Sequence, residues 1–179
     1  MQAHLSSTSM SSREKKHINY FYVMQNRTFA EEYAGEYLWA PQQGNNGSSA
    51  NHSWSRMKSI KTGDVIIHGY KQQVVAISIA KRDCYPALRP DELVADWKRE
   101  GWRVDSDYFL FAAPINPKDI WDELQPLLPS KYAPFTNDGS GNQGYLFEAN
   151  SKMCQCILDN IALQGAPGKD VLPKKMCHK

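Results

Sequence analysis

Residues 54–80 read WSRMKSIKTGDVIIHGYKQQVVAISIA and contain the two clearest β-strands of the chain. Gly63 and Asp64 are a turn signal, and the runs at 65–68 and 73–80 that follow are rich in β-branched residues, which favour strands. The short polar segment between the two runs is typical of a hairpin connection. The sequence therefore predicts a β-hairpin here, and the rest of the fold is expected to build outward from it.

Further strands and helices are predicted on both sides of this hairpin. Residues 18–24 (INYFYVM) are aromatic and β-branched, which indicates a strand buried on both faces. The other predicted elements, in chain order, are a helix over 28–33, a strand over 37–41, a helix that starts at Pro90 and ends at Gly101, a strand over 102–113, a helix over 118–128, a strand over 145–147, and a helix over 151–163 capped by Ser151. Most strands follow one another directly, so antiparallel or mixed pairing is favoured over a doubly wound parallel sheet. The order predicts an α+β fold with a small curved mixed sheet or pseudo-barrel flanked by short helices.

The two ends of the chain differ from its middle in composition. The chain has 179 residues, of which 41% are hydrophobic and 22% charged, a balance typical of a globular protein. Residues 1–17 are predicted to be a disordered lead, residues 18–163 one domain, and residues 164–179 a flexible tail or linker. There is no secretory signal pattern and no apolar run of membrane length, so a cytoplasmic protein without a membrane partner is expected.

Most catalytic motifs are missing from the sequence. It has no GxxxxGK[ST] loop, no HExxH pair and no GxSxG elbow, and GSGNQG at 139–144 lacks the flanking strand and helix of a dinucleotide site. Asp105 and Asp107 have no third metal ligand at an inferable spacing, so surface ion pairs are favoured over a nuclease site. The four sparse cysteines fit no common zinc pattern. The chain is predicted not to be an enzyme, and to bind no cofactor and no metal.

Aromatic residues next to loops are the main indication of a binding site. The chain has five tryptophans and nine tyrosines. Trp39, Trp54 and Tyr85 lie near the ends of predicted strands, and a long polar loop at 42–53 separates the two tryptophans. A flat aromatic side chain can stack on a nucleobase, a contact worth ~1–3 kcal/mol per base. Packing of both tryptophans in the core is the alternative.

The basic residues are concentrated in one segment. The net charge of +2 does not by itself indicate nucleic-acid binding. Residues 54–82 nevertheless contain six basic residues and one acid, Asp64. Four of these cations are predicted to contact phosphates: Arg56, Lys58, Lys81 and Arg82. For any one of them taken singly, a solvated surface position is the alternative.

Several segments together resemble the EVE domain, a branch of the PUA-like superfamily that includes the YTH and SRA modules. They are YFYVMQN at 20–26, LWAP at 38–41, the W…M…IKxGDVI block at 54–66, VVAISIA at 74–80, GWRVD at 101–105 and GNQGYLF at 141–147. The resemblance covers residues 18–163. The segments look similar to copies that are fused to nucleases and to AAA GTPases in modification-dependent restriction systems.

The resemblance implies a PUA-like pseudo-barrel whose pocket takes a base flipped out of a nucleic acid. In relatives the base is often 5-methylcytosine, 5-hydroxymethylcytosine or N6-methyladenine, so modified double-stranded DNA is the expected partner. The restriction context, a form of bacterial defence, also implies a nuclease or GTPase effector in the same chain or as a partner. The alternatives are a reader of modified RNA and a regulatory domain that binds a protein or a small molecule.

Matching positions imply the members of the pocket. Trp39 matches the strand-end tryptophan of the base cage. The second cage aromatic stays open among Tyr85, Trp54 and Trp97. Amide side chains, which offer both a donor and an acceptor, are implied to contact the edge of the base. They are Gln25, Asn26, Asn142 and Gln143.

Overall fold

The computed structural model describes residues 16–44, 52–93 and 96–163, which form an α+β fold around one β-sheet. Three predicted segments fall wholly or partly outside these residues. They are the lead 1–17, of which Lys16 and His17 are described, the middle of the loop 42–53, and the tail 164–179. None of the helices in the described residues has the length and hydropathy of a membrane span.

Seven strands form the sheet. They are β1 (Tyr20–Met24), β2 (Tyr37–Pro41), β3 (Val65–Tyr70), β4 (Gln73–Ala80), β5 (Tyr85–Leu88), β6 (Glu100–Ile115) and β7 (Leu146–Ala149). Their order is β2-β6-β4-β3-β1-β7, and β5 also pairs with β6. The β1–β3 pair is parallel and the other pairs are antiparallel. The predicted curved mixed sheet is therefore confirmed, since the sheet curls into half a barrel.

The predicted hairpin is formed by β3 and β4. β3 continues two residues beyond the prediction, to Tyr70. Lys71 and Gln72 then connect the strands with φ angles of 47° and 63°. Two successive left-handed residues are the conformation of the two-residue turn whose twist matches that of paired strands. This local geometry fixes the register on which the rest of the sheet is built.

Four short helices accompany the sheet in the described residues. They are α1 (Phe29–Gly35), α2 (His52–Ser55), α3 (Trp121–Leu124) and α4 (Ser151–Leu163). The predicted cap of α4 is wrong by one residue, because the Asn150 side chain accepts a hydrogen bond from the Met153 N–H at 2.9 Å. The predicted helix over 118–128 is broken into two 3₁₀ turns around α3. Pro126 explains the second break, because proline has no N–H and disfavours a helical residue before it.

The predicted helix from Pro90 to Gly101 is wrong. No helix forms in the described residues of this segment, and β5 pairs with the first residues of β6 instead. The described residues of the range 89–99 form a loop that leaves the sheet and returns to it, which we call the excursion. It is closed by a hydrogen bond from the Arg89 N–H to the Arg99 carbonyl at 2.6 Å. Strand pairing and the packing of the excursion override the helical spacing of its apolar residues.

Two hydrophobic clusters bury the central strands on both faces, as the composition of residues 18–24 predicted for β1. Tyr22 belongs to the cluster that includes the buried residues of α4, such as Ile157. Phe21 and Val23 belong to a second cluster with Leu38 of β2. Side chains alternate between faces along a strand, so the two clusters lie on opposite sides of the sheet. Residues packed against both clusters also line the cavities described next, such as Phe135 of the first cluster and Trp54 beside the second.

Candidate functional site

Two neighbouring cavities lie where β1 ends and the chain turns toward α1. The first, which we call the tryptophan pocket, has a volume of about 260 Å³. Its lining includes Asn26, Arg27, Trp39, Trp54, Trp97 and Tyr145. Pockets for drug-sized ligands begin at ~300 Å³, so this cavity suits one small ring system.

Trp39 forms the back wall of the tryptophan pocket and is only 1% exposed. A Cβ atom added at Gly101 would lie 2.1 Å from the indole ring, so the ring packs directly on the backbone of β6. The indole N–H donates to the Ala87 carbonyl at 3.1 Å. The Trp97 ring stacks on Trp39 with centroids 6.2 Å apart and planes at 24°. Trp39 is thus anchored from two sides. Because Trp97 is stacked on it, little of the Trp39 ring is left for the predicted stacking on a base.

Trp54 and Trp97 are partly buried and supply the accessible aromatic surface of the pocket. Trp54 is held by α2, and Trp97 by the excursion that returns over Trp39. The Arg27 guanidinium lies 6.0 Å from the centroid of the Trp97 ring. Arg27 was not predicted as a site residue, because a single arginine after a strand has no distinctive spacing. Of the three candidates for a second cage aromatic, Trp54 and Trp97 line the pocket and Tyr85 does not.

The second cavity, which we call the amide pocket, has a volume of about 370 Å³. Its polar lining includes Asn26, Gln72, Asn116, Asn142 and Gln143. Met24, Asn26 and Gly144 line both cavities. The sequence implied one pocket with Trp39, Trp54 and all of the amides. The structure instead separates Asn142 and Gln143 from the tryptophans, with Asn26 between the two cavities.

Residues 133–144 form a wall of the amide pocket and are tied together by their own hydrogen bonds. The Asn142 side chain donates to the Ala133 carbonyl at 2.8 Å, and its N–H donates to the Pro134 carbonyl at 2.8 Å. Phe135 and Gly141 form an isolated bridge. Phe135 also packs edge-on against Tyr22, with ring centroids 5.0 Å apart. These contacts hold the wall in place.

A buried carboxylate lies behind the tryptophan pocket. Glu32 is fully buried, and its oxygens accept four hydrogen bonds. The donors are the Trp39 N–H at 2.7 Å, the Tyr145 hydroxyl at 2.6 Å, the Thr28 hydroxyl at 2.7 Å and the Gln25 amide at 2.6 Å. Burial raises the pKa of Glu32 to about 7, against the opposing effect of these donors. Glu32 was not predicted, because a glutamate in a short polar helix is usually exposed.

Gln25 is part of this buried network, which corrects its predicted role in base recognition. Its amide nitrogen donates to Glu32 and to the Tyr108 hydroxyl, at 2.6 and 3.1 Å. Its oxygen lies 2.6 Å from His68 Nδ1, and His68 Nε2 lies 2.7 Å from the Ser78 hydroxyl. Burial lowers the pKa of His68 to about 3, so the ring is neutral and donates from Nδ1. Gln25 is 1% exposed and its amide is fully engaged, so it is a structural residue.

Arg56 is also structural, which corrects its predicted role in phosphate binding. Its side chain is 10% exposed and pairs with Glu148 at 3.4 Å. It also donates to the Leu146 carbonyl and lies over the Tyr132 ring, 4.3 Å from the centroid. The guanidinium therefore ties the segment after α2 to β7 and is not available to a phosphate.

The other predicted contacts lie outside both cavities. Arg82 covers the Tyr85 ring at 4.0 Å, and the Tyr85 hydroxyl donates to Asp105 at 2.8 Å. Lys81 pairs with Glu36 at 3.2 Å, and Lys58 lies 5.2 Å from the centroid of the Trp102 ring. Tyr85 is therefore removed from the proposed base pocket, because it lines neither cavity. Lys58, Lys81 and Arg82 are exposed, and their contacts with phosphates stay predictions.

The two carboxylates considered for a nuclease site are both paired. Asp105 binds Arg103 at 2.8 Å, and Asp107 lies 3.5 Å from Lys81. The interpretation of these residues as ion-paired is confirmed. Within the part of the chain that the structure describes, histidine, cysteine and acidic side chains form no group of three or more able to hold a metal.

Comparison with solved structures identifies the fold. Human THYN1 in complex with 5-methylcytosine-containing DNA is similar, with a TM-score of 0.53 and 9% identity over 80% of this chain and 97% of that one. Rpa0253 from Rhodopseudomonas palustris gives 0.51 and 13%, covering 90% and 100%, and a Pseudomonas putida protein gives 0.51 and 13%, covering 79% and 99%. No family model and no curated protein matches the sequence. At these identities the likeness shows the fold alone, and that fold is PUA-like.

Proposed function

We propose that this chain is a non-enzymatic nucleic-acid-binding module that reads a modified base flipped into the tryptophan pocket. The observation that carries the proposal is the grouping of three tryptophans, from β2, α2 and the excursion, around one cavity of single-ring size. Trp54 and Trp97 are only partly buried, so both rings keep accessible surface that a ligand in the cavity can contact. The similar fold of THYN1, solved with 5-methylcytosine-containing DNA, supports a nucleic-acid ligand.

The pocket offers contacts of the strength that base flipping needs. Extruding a base costs a few kcal/mol in a duplex. Stacking on an aromatic side chain contributes ~1–3 kcal/mol per base, and both Trp54 and Trp97 present such surfaces. Asn26 lines the same cavity and offers its amide to the edge of the base, and Arg27 offers a cation to the adjoining phosphate. Stacking, an edge contact and a phosphate contact together offset the cost of flipping.

The apolar part of the lining is suited to a methyl group. Met24, Ala40 and Pro41 line the tryptophan pocket beside the indoles. Placing one additional methyl group in an apolar pocket is worth ~1–3 kcal/mol, or roughly 5- to 150-fold in affinity. We therefore infer that 5-methylcytosine in DNA is the first base to test. We further propose that the chain belongs to the EVE branch and is the recognition part of a restriction system, with a nuclease or GTPase effector in the same chain or as a partner.

The test is a binding series with the full chain and short oligonucleotides. Each duplex and its single strand carries cytosine, 5-methylcytosine, 5-hydroxymethylcytosine or N6-methyladenine at one position. We expect one modified form to bind more tightly, and all binding to weaken as salt increases, because phosphate contacts release counterions. Tight binding confined to RNA would move the target from DNA to RNA. Absence of binding to every oligonucleotide would refute the function and favour an interaction domain.

Variants connect the binding to the pocket. Trp54→Ala and Trp97→Ala are each expected to weaken binding of the modified oligonucleotide by at least the ~1 kcal/mol of one lost stacking contact, about fivefold. Trp102→Ala is the matched control, because Trp102 is also partly buried but lines neither cavity. If a folded Trp54→Ala and a folded Trp97→Ala protein both bind the modified oligonucleotide as tightly as the wild-type protein, the pocket is not the site of recognition.

A further inference from the structure

We propose that the amide pocket binds the base next to the modified one, so that the protein reads two consecutive nucleotides. The inference rests on the proposed function, because it requires the first base to occupy the tryptophan pocket. Met24, Asn26 and Gly144 are shared between the linings of the two cavities. Because the cavities share a wall, bases on neighbouring nucleotides can enter them without a long connection between the two.

Several hydrogen-bonding groups in the lining of the amide pocket are not used by hydrogen bonds within the protein, so they can bind a ligand. Asn26 uses its oxygen to accept from the Lys71 N–H, and Asn142 uses its nitrogen to donate to Ala133. The Asn142 oxygen therefore remains available in the lining, and the Asn26 nitrogen has a second N–H besides the one assigned to the base in the tryptophan pocket. The side chains of Gln72 and Gln143 have no hydrogen-bond partner among the described residues. Donors and acceptors side by side are what the edge of a nucleobase requires.

The Tyr22 hydroxyl adds a further polar group to the lining of the amide pocket. Tyr22 is 1% exposed and lines the amide pocket, with its hydroxyl against Gly69, another lining residue. This hydroxyl has no hydrogen-bond partner among the described residues. Among the described residues, the buried side-chain atoms without a partner are Arg89 Nε and Ser106 Oγ, so the Tyr22 oxygen is not sealed in the core but reaches accessible space. A ligand in the cavity can therefore hydrogen-bond to Tyr22.

The charge of the lining favours a base over a phosphate. Lys118 is the one charged side chain among the described residues that line the amide pocket. Phosphate sites in proteins are typically built from arginine forks, helix N-termini or several cations. Amides that pair with base edges, by contrast, give sequence specificity. The amide pocket is therefore suited to a nucleobase recognised by its edge.

Seating two neighbouring bases has a consequence for the strandedness of the target. Each base taken out of a duplex costs unstacking and unpairing, and the cost is least for mismatched or single-stranded bases. A protein that accommodates two consecutive bases is therefore expected to prefer a single strand, or a duplex with mismatches at both positions, over a fully paired duplex. A one-pocket reader gains much less from the second mismatch.

The experiment keeps the modified base that binds best and varies its two neighbours. The nucleotide on the 5′ side, and separately that on the 3′ side, is replaced by each of the four bases and by an abasic residue in a single strand. We expect one side to show a base preference between about 5-fold and about 150-fold, the range for one well-placed edge contact. The other side should show none. Equal binding to all neighbours on both sides, with the modified base still preferred, would overturn this inference and leave the proposed function intact.

Two variants assign the preference to the amide pocket. Gln143→Ala changes an exposed side chain, and Tyr22→Phe removes one hydroxyl while keeping the ring in the core. Both are expected to reduce the neighbour preference and to keep the preference for the modified base. Gln155→Ala, an exposed amide on α4, is the matched control. A neighbour preference unchanged in Gln143→Ala and in Tyr22→Phe would refute the assignment. If the wild-type protein instead shows no preference for any modified base, the proposed function itself is refuted.

Discussion

Replacement of Glu32 by glutamine tests the buried network behind the tryptophan pocket, because it keeps the shape of the side chain and removes its charge. The Trp39 N–H is fixed by the backbone and needs an acceptor, so the oxygen of the new amide must take that position. Its nitrogen then faces Thr28 and Gln25, which both donate to Glu32 in the native protein. The Thr28 hydroxyl can rotate to accept, but the Gln25 nitrogen meets a second N–H group. One buried donor is left unpaired, at an expected cost of ~1–3 kcal/mol.

The stability difference between the two proteins is expected to change with pH. Burial raises the pKa of Glu32 from 4.5 to about 7, so the folded protein holds this proton more tightly than the unfolded chain. The stability contributed by protonated Glu32 is therefore complete below pH 4.5 and is lost as the pH rises through about 7. The raised pKa corresponds to about 3 kcal/mol. Glu32→Gln does not titrate, so its deficit should be largest in acid and should shrink or reverse near pH 8.

His68 has the opposite pH dependence and must be separated from this effect. Burial lowers its pKa from 6.5 to about 3, so the unfolded chain binds the proton more tightly. Its contribution to stability is present above pH 6.5 and is lost as the pH falls through about 3. The wild-type curve alone combines both trends. Both proteins contain His68, so subtracting one unfolding free energy from the other isolates Glu32.

Urea unfolding followed by tryptophan fluorescence, repeated between about pH 5 and about pH 8, measures this difference. A deficit of Glu32→Gln that decreases with rising pH supports the raised pKa. A deficit that increases with pH would refute it, since it would mean that the four donors lower the pKa more than burial raises it. Thr28→Ser, which keeps the hydroxyl donor, is the control for small changes of packing in the same network.

Three other substitutions have defined expectations. Gly144→Ala should destabilise the protein by ~1–3 kcal/mol in thermal melting, because φ at 144 is 147° and the new Cβ would lie 2.8 Å from Phe147. Arg56→Gln should lower the urea midpoint, through loss of the Glu148 pair, without changing how DNA affinity depends on salt. Arg27→Gln should reduce the slope of log affinity against log salt by about 1, the value for one lost phosphate contact. An unchanged slope would exclude Arg27 from phosphate binding.

The local signals in the sequence predicted the sheet better than they predicted the helices. Branched residues and a two-residue turn located β3 and β4, because both features act within a few residues along the chain. The segment from Pro90 to Gly101 carried an equally clear helical pattern, with acidic residues after the proline. Its apolar residues pack on β2 instead, and that partner is separated from them by more than fifty residues in the sequence. A contact between residues so far apart in the sequence cannot be recognised from the local sequence pattern.

The members of the site could be predicted only in part, for a related reason. Gln25 and Asn26 are adjacent amides after the same strand, yet Gln25 is buried in a network and Asn26 lines both cavities. Their sequence context is the same, and the difference depends on Glu32 and His68, which come from other elements. Trp97 was one of three alternatives because its position depends on the fold of the excursion.

Recognition of one methyl group requires walls that do not move, because a gap of 0.5–1 Å already loses about a quarter to a half of a van der Waals contact. In this protein Trp39, Tyr145 and Thr28 belong to the pocket lining and also donate to Glu32. We therefore expect Glu32→Gln to lose part of the preference for the modified base while it is still folded, measured as the ratio of Kd values for modified and unmodified oligonucleotides. Arg56→Gln is the control, because this substitution is also expected to destabilise the protein. Arg56 itself lines neither cavity. Equal ratios in all three proteins would show that the network serves stability alone.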